Sequence, residues 1–179
     1  MSSAQSADTG EFARFDASRG PRIVGPTDGK MVDLGSLGAR FMVRGEESGG
    51  GFSLIEHPIP PRSLAAPRHR HSREDEYSYV LEGRLGALLG DQVVYAGAGD
   101  LVFKPRHQWH TFWNAGDTPC RILEIISPAG FERCFDEMAA DPEMMAGELA
   151  EATDARYGLE VDYASIQRLC EEHGLTFPM

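Results

Sequence analysis

Residues 67–83, PRHRHSREDEYSYVLEG, place His69 and His71 two positions apart and follow them with a run of acids. On a strand, positions i and i+2 project to the same side, about 6.5–7 Å apart. Two imidazoles so arranged can both reach one ion, at metal–nitrogen distances of about 2.0–2.2 Å. Alone, the pair also suits a solvated surface segment. Glu76 opens the run EYSYVLEG and can turn its carboxylate back onto the same ion. Alternation puts Glu76, Ser78 and Val80 on one face and Tyr77, Tyr79 and Leu81 on the other. Glu74 and Asp75 are expected in the connection, solvated. Further on, GDLVFKPRHQWHTFWN, residues 99–114, reads as a glycine turn, an apolar strand, a proline turn and a strand opening near His110. His110, Phe112 and Asn114 share a face there, and an antiparallel barrel lets His110 converge with the first pair.

The surrounding sequence supplies the strands such a barrel needs. Between residues 31 and 127, short runs rich in branched and aromatic residues alternate with turns: ARFMVRG, GGFSLIEHPIPP, EYSYVLEG, LVFKP, WHTFWNAG and CRILEIISP. Gly90-Asp91 suits a two-residue hairpin, and Ala96 to Asp100 a second turn. Strand after strand with no helical period signals an antiparallel sandwich or barrel. The period changes after Gly130. Phe131, Cys134, Phe135 and Met138 fall on one helical face. Asp141-Pro142 suits the start of a second helix carrying Met144, Met145 and Leu149. Ile166, Leu169 and Cys170 mark a third, ended by Gly174. The chain therefore divides into a flexible segment, 1–20, a β-barrel, 21–130, and a helical extension packed on it, 131–179.

Bulk properties exclude several classes of function. The 179 residues carry a formal net charge of −11, which repels phosphate backbones and anionic lipid, so neither nucleic acid nor membrane is expected as a partner. No secretory signal is expected from the small, polar opening MSSAQSADTGEFARFDASRG, and no apolar run approaches the ~20 residues needed to cross a bilayer. Cys120, Cys134 and Cys170 are odd in number and widely spaced, as suits a reducing cytoplasm.

Together, the two histidine-bearing stretches resemble the paired motifs of the cupin superfamily. His69, His71, Glu76 and Gly83 match the first motif, with Ser63 in place of its leading glycine. Gly99, Pro105, His110 and Asn114 match the second, with His107 where glycine is usual. The resemblance covers about residues 40–127. It implies an all-β fold, a cupin-type antiparallel β-barrel (a jelly roll, or double-stranded β-helix). It also implies one divalent transition metal ion (Fe, Mn, Ni, Co, Cu or Zn) held by His69, His71, Glu76 and His110, and a homodimer. The trailing SPAGFERCFDEM is similar to a stretch of the short flavonol (quercetin) dioxygenase-like cupins.

Three neutral imidazoles and one carboxylate leave a divalent ion with net charge +1, which favours an anionic oxygen ligand. Glu76 can then serve as the catalytic base for an acidic substrate hydroxyl. The leading expectation is a dioxygenase that joins dioxygen to an aromatic or enolisable small molecule. A metal-dependent isomerase, decarboxylase or lyase, or a non-catalytic small-molecule-binding protein, is the alternative. Phe112, Met42, Phe52, Tyr79 and Phe103 are candidates to line the substrate pocket. His57 and His173 read as structural, and His107 as a loop or gate residue.

Overall fold

A strand whose polar and apolar residues alternate can bury only one face, so such strands pair into sheets and close those faces on each other. The computed structural model describes residues 20–145 and 147–178. The segment expected to be flexible therefore lies outside the described residues, its last residue excepted. One antiparallel sheet runs in the order β1 (Met31–Asp33), β2 (Gly38–Val43), β3 (Ser53–Ile59), β10 (Cys120–Ser127), β5 (Asp75–Glu82), β8 (Leu101–Lys104). The other runs β11 (Leu159–Asp162), β4 (Arg68–His71), β9 (His110–Asn114), β6 (Arg84–Leu89), β7 (Gln92–Gly97). The architecture is the expected jelly-roll barrel with helices at its C-terminal end.

Parity decides what faces inward. In β10, Cys120, Ile122, Glu124 and Ile126 are buried while the residues between them are half-buried. In β5 the inward set is Glu76, Ser78 and Val80. Leu85, Ala87, Val102, Phe112 and Ile122 fill the barrel between the sheets. Turn chemistry fixes the register. Gly83 sits at φ +82°, where an added Cβ would stand 2.7 Å from the Pro119 carbonyl oxygen, so the β5–β6 turn requires glycine. Gly90-Asp91 forms the expected hairpin, bringing Leu89 opposite Gln92.

Among the described residues, four α-helices accompany the sheets: α1 (Gly45–Ser48), α2 (Glu132–Ala140), α3 (Gly147–Tyr157) and α4 (Ser165–His173). The stripe read from the sequence packs α2 on the barrel, with Phe131 and Cys134 buried beside Val32, Phe41, Ile55 and Ile126. On α4, Leu169 joins Trp113, Leu64 and Leu175. That cover explains why every residue of β9 is buried, on both faces. His173 stacks on Trp113 at 4.5 Å, a packing role. Two expectations need correction. The segment after Asp141 begins as a 3-10 turn, Pro142–Met145, and Leu149 on α3 is 57% exposed, so its helical face is turned to solvent rather than to the barrel. The C-terminal segment is also not purely helical, because β11 adds a strand to β4.

Candidate metal centre

The four residues of the paired stretches come together. His69 and His71 project from β4, Glu76 from the start of β5 and His110 from the start of β9. His69 stands opposite His110 in the β4–β9 ladder, which explains how segments forty residues apart converge. One donor atom from each of the four lies within 4.8 Å of the others, and all four residues are buried. An ion with ligand distances of about 2.0–2.2 Å needs donors about 3–4.5 Å apart, so the cluster requires little movement to hold one.

Hydrogen bonding orients the rings. His69 Nδ1 lies 2.8 Å from the Pro67 carbonyl oxygen and His110 Nδ1 3.0 Å from that of Gln108. A ring nitrogen facing a carbonyl must carry the proton, which leaves the Nε2 lone pair for a cation. In His71, Nδ1 stands 3.4 Å from Glu74 Oε2, and Nε2, though buried, makes no hydrogen bond. A buried orphan nitrogen beside a carboxylate and two further imidazoles fits a metal ion, and the nitrogen–oxygen donor set suits a first-row transition ion. Glu74 is thus buried against His71, not solvated as its place in an acidic run suggests. The connection folds it back under the ring. Asp75 stays near the surface, paired with Arg106 at 2.7 Å.

The electrostatics favour ligation. Burial, with the neighbouring imidazoles His110 and His71, holds His69 well below the usual histidine range. Burial also lowers His110, against the opposing pull of Glu76. Glu76 itself is pushed up by burial but more strongly down by Lys104, His71 and His110, so it is held well below the ordinary carboxylate range. Neutral imidazoles and an ionised carboxylate are the forms that bind a cation.

The sequence reading missed Lys104. It stands directly opposite Glu76 in the β5–β8 ladder, and Glu124 directly opposite Ser78 in the β5–β10 ladder. Lys104 Nζ lies 3.0 Å from Glu76 Oε2 and 3.1 Å from Glu124 Oε2, with the Phe112 ring centroid 4.4 Å away. Ser78 Oγ donates to Glu124 Oε2 at 2.6 Å. Burial pushes Glu124 up to about 7, although Lys104 opposes it.

Of the pocket candidates, Phe112 faces the interior beside Lys104. Tyr79 and Phe103 do not reach the cluster. Each alternates with inward residues, so it lies on the outer face, 40% and 46% exposed. Phe52 precedes β3 and is 40% exposed, and Met42 meets Arg40 instead. His107 is exposed in the β8–β9 turn, where its backbone N–H donates to the His71 carbonyl. His57 is buried, its Nδ1 2.8 Å from the Gly38 carbonyl oxygen, as a structural histidine should be. Phe131 closes the site from the C-terminal side, edge-on to His71.

Two sheets closed around three imidazoles and a glutamate define a cupin-fold protein. Residues 56–126 match the family model described as Cupin domain, which supports the cupin superfamily. By sequence, the chain is 31% identical over 110 residues to Germin-like protein 5-1 of Oryza sativa subsp. japonica, covering 57% of this chain and 49% of that protein. It spans half or less of the length of the curated relatives it matches. By structure, it is similar to KdgF from Halomonas sp., with TM-score 0.56, 14% identity, and 63% and 98% of the two chains covered. It is also similar to a predicted oxalate decarboxylase from Thermotoga maritima, with TM-score 0.55, 20% identity, and 60% and 99% covered. Among the described residues, no helix is long and apolar enough to cross a membrane.

Proposed function

We propose that the chain is a metal-dependent enzyme of dioxygenase type, acting on an aromatic or enolisable small molecule, with a flavonol-like compound as the first substrate to try. The observation that carries this reading is the buried set of three imidazoles with inward Nε2 atoms and one ionised carboxylate. His69, His71, His110 and Glu76 hold the ion. A bound transition ion supplies Lewis acidity toward a substrate oxygen and, where it is redox-active, a route for electrons to dioxygen. Glu76 Oε2 faces Lys104 Nζ at 3.0 Å and His110 Nε2 at 3.2 Å, Oε1 stands 3.4 Å from His71 Nε2, and this carboxylate is the group that receives the substrate's hydroxyl proton. Phe112, Val80, Val102 and Ile122 keep the interior apolar and limit water around that proton transfer.

A second reading, an isomerase, decarboxylase or lyase using the ion without dioxygen, draws support from the fold shared with the predicted oxalate decarboxylase from Thermotoga maritima. Oxygen-electrode assays of metal-loaded protein against flavonols and other enolisable compounds separate the two. Oxygen uptake that disappears in Glu76→Gln supports the first. Substrate turnover under strict anaerobiosis contradicts it and supports the second.

We also propose a homodimer formed through the outer face of the first sheet. Leu101, Phe103 and Tyr79 are exposed there beside the edge strand β8. Sedimentation of wild type against Leu101→Glu tests it, and a wild-type monomer contradicts it. The unpaired cysteines support a cytoplasmic setting.

A further inference from the structure

We propose that Lys104 competes with the divalent ion for Glu76, so that this lysine and its second partner Glu124 set how tightly the site holds its metal. The proposal rests on the reading of His69, His71, Glu76 and His110 as the metal ligands. Lys104 is 1% exposed, and its ammonium sits within hydrogen-bond distance of the site's single carboxylate ligand. A second cation brought to that carboxylate must share it, and two cations a few ångströms apart in a poorly solvated interior repel strongly.

Lys104 is not free to serve as an anchor for an anionic substrate. Glu76 and Glu124 take two directions around Nζ, and the Phe112 ring lies along another. Stability alone does not account for the arrangement either. Burying an ammonium with two carboxylates costs more in desolvation than an apolar group of the same volume. Glu124 draws the ammonium away from Glu76 and adds a negative charge near the site. Ser78 fixes it there through Oε2, and its Oε1 has no hydrogen bond. The two side chains should therefore act on metal affinity in opposite directions, the lysine weakening it and the glutamate strengthening it.

The test is titration of chelator-stripped, full-length protein with cobalt(II) in mildly alkaline buffer, read by the visible absorption of the bound ion. Circular dichroism confirms that each variant is folded. Lys104→Met is expected to bind cobalt at least about tenfold tighter than wild type, and Glu124→Gln several-fold weaker. The double variant K104M/E124Q is expected to bind more tightly than Glu124→Gln alone. A purely structural role would weaken binding in both single variants, because both disturb the same buried network. Unchanged or weakened binding in Lys104→Met overturns the proposal while leaving the ligand assignment standing. Absence of cobalt binding in both wild type and Lys104→Met overturns the ligand assignment and the proposal together.

Discussion

Phe131 stands edge-on to His71, with ring centroids 4.5 Å apart and planes at 90°. The contact ties the barrel's metal ligands to the segment that follows the barrel, since Phe131 also packs with Phe135 and Tyr157. Phe131→Ala removes a buried ring and should destabilise the fold by about 3 kcal/mol in urea unfolding. It also removes the wall beside His71, so a bound ion should leave faster in a chelator-exchange assay. Phe131→Leu, which keeps most of the apolar volume, should fall between the two on both readouts. Equal ion release in all three proteins would show that the ring does not shield the site.

His107 sits at φ +66°, in the left-handed region. The second motif usually has glycine here, and the turn explains why: an L side chain in that region costs about 1–2 kcal/mol. Glycine regains this but makes the unfolded chain freer, at a cost of about 0.4–1 kcal/mol. His107→Gly should therefore stabilise the protein by about 0.5–1 kcal/mol. A loss of more than about 1 kcal/mol would mean that the imidazole makes a contact worth more than the strain.

Burial lowers His57 to about 4. In the unfolded chain its proton binds near pH 6.5. Between those values the unfolded state takes up a proton that the folded state refuses, so stability falls as pH drops through this window and levels off below it. The group's share is about 3 kcal/mol. His57→Asn, whose amide can still donate to Gly38, should lose less stability than wild type between about pH 6.5 and 4 by roughly that amount. Parallel stability–pH curves for the two proteins would refute this assignment.

Much of the site was legible because its signals are local. A two-residue spacing puts His69 and His71 on one face, and the glycine required at Gly83 marks where β5 must turn. The helical stripe from Phe131 to Met138 was legible for the same reason. Lys104 and Glu124 were hidden because their meaning lies in pairing. A lysine at the end of LVFK looks like a solvated strand end until β8 is laid against β5 and Glu76 faces it. CRILEIIS is apolar on both faces, so alternation alone cannot say that Glu124 points inward. Glu74 reads as one acid in a charged run, and only the fold of the β4–β5 connection brings it under His71. The strand β11 is four residues long, too short for a period to emerge, and forms because β4 offers it an open edge.

The central claim is that His69, His71, Glu76 and His110 hold one divalent transition ion. Elemental analysis of protein purified without chelators, beside the double variant H69A/H71A, tests it most directly. The account predicts about one transition ion per wild-type chain and none retained by the folded double variant. Stoichiometric metal in the double variant, or wild-type protein that takes up no ion from added transition-metal salts, would contradict it.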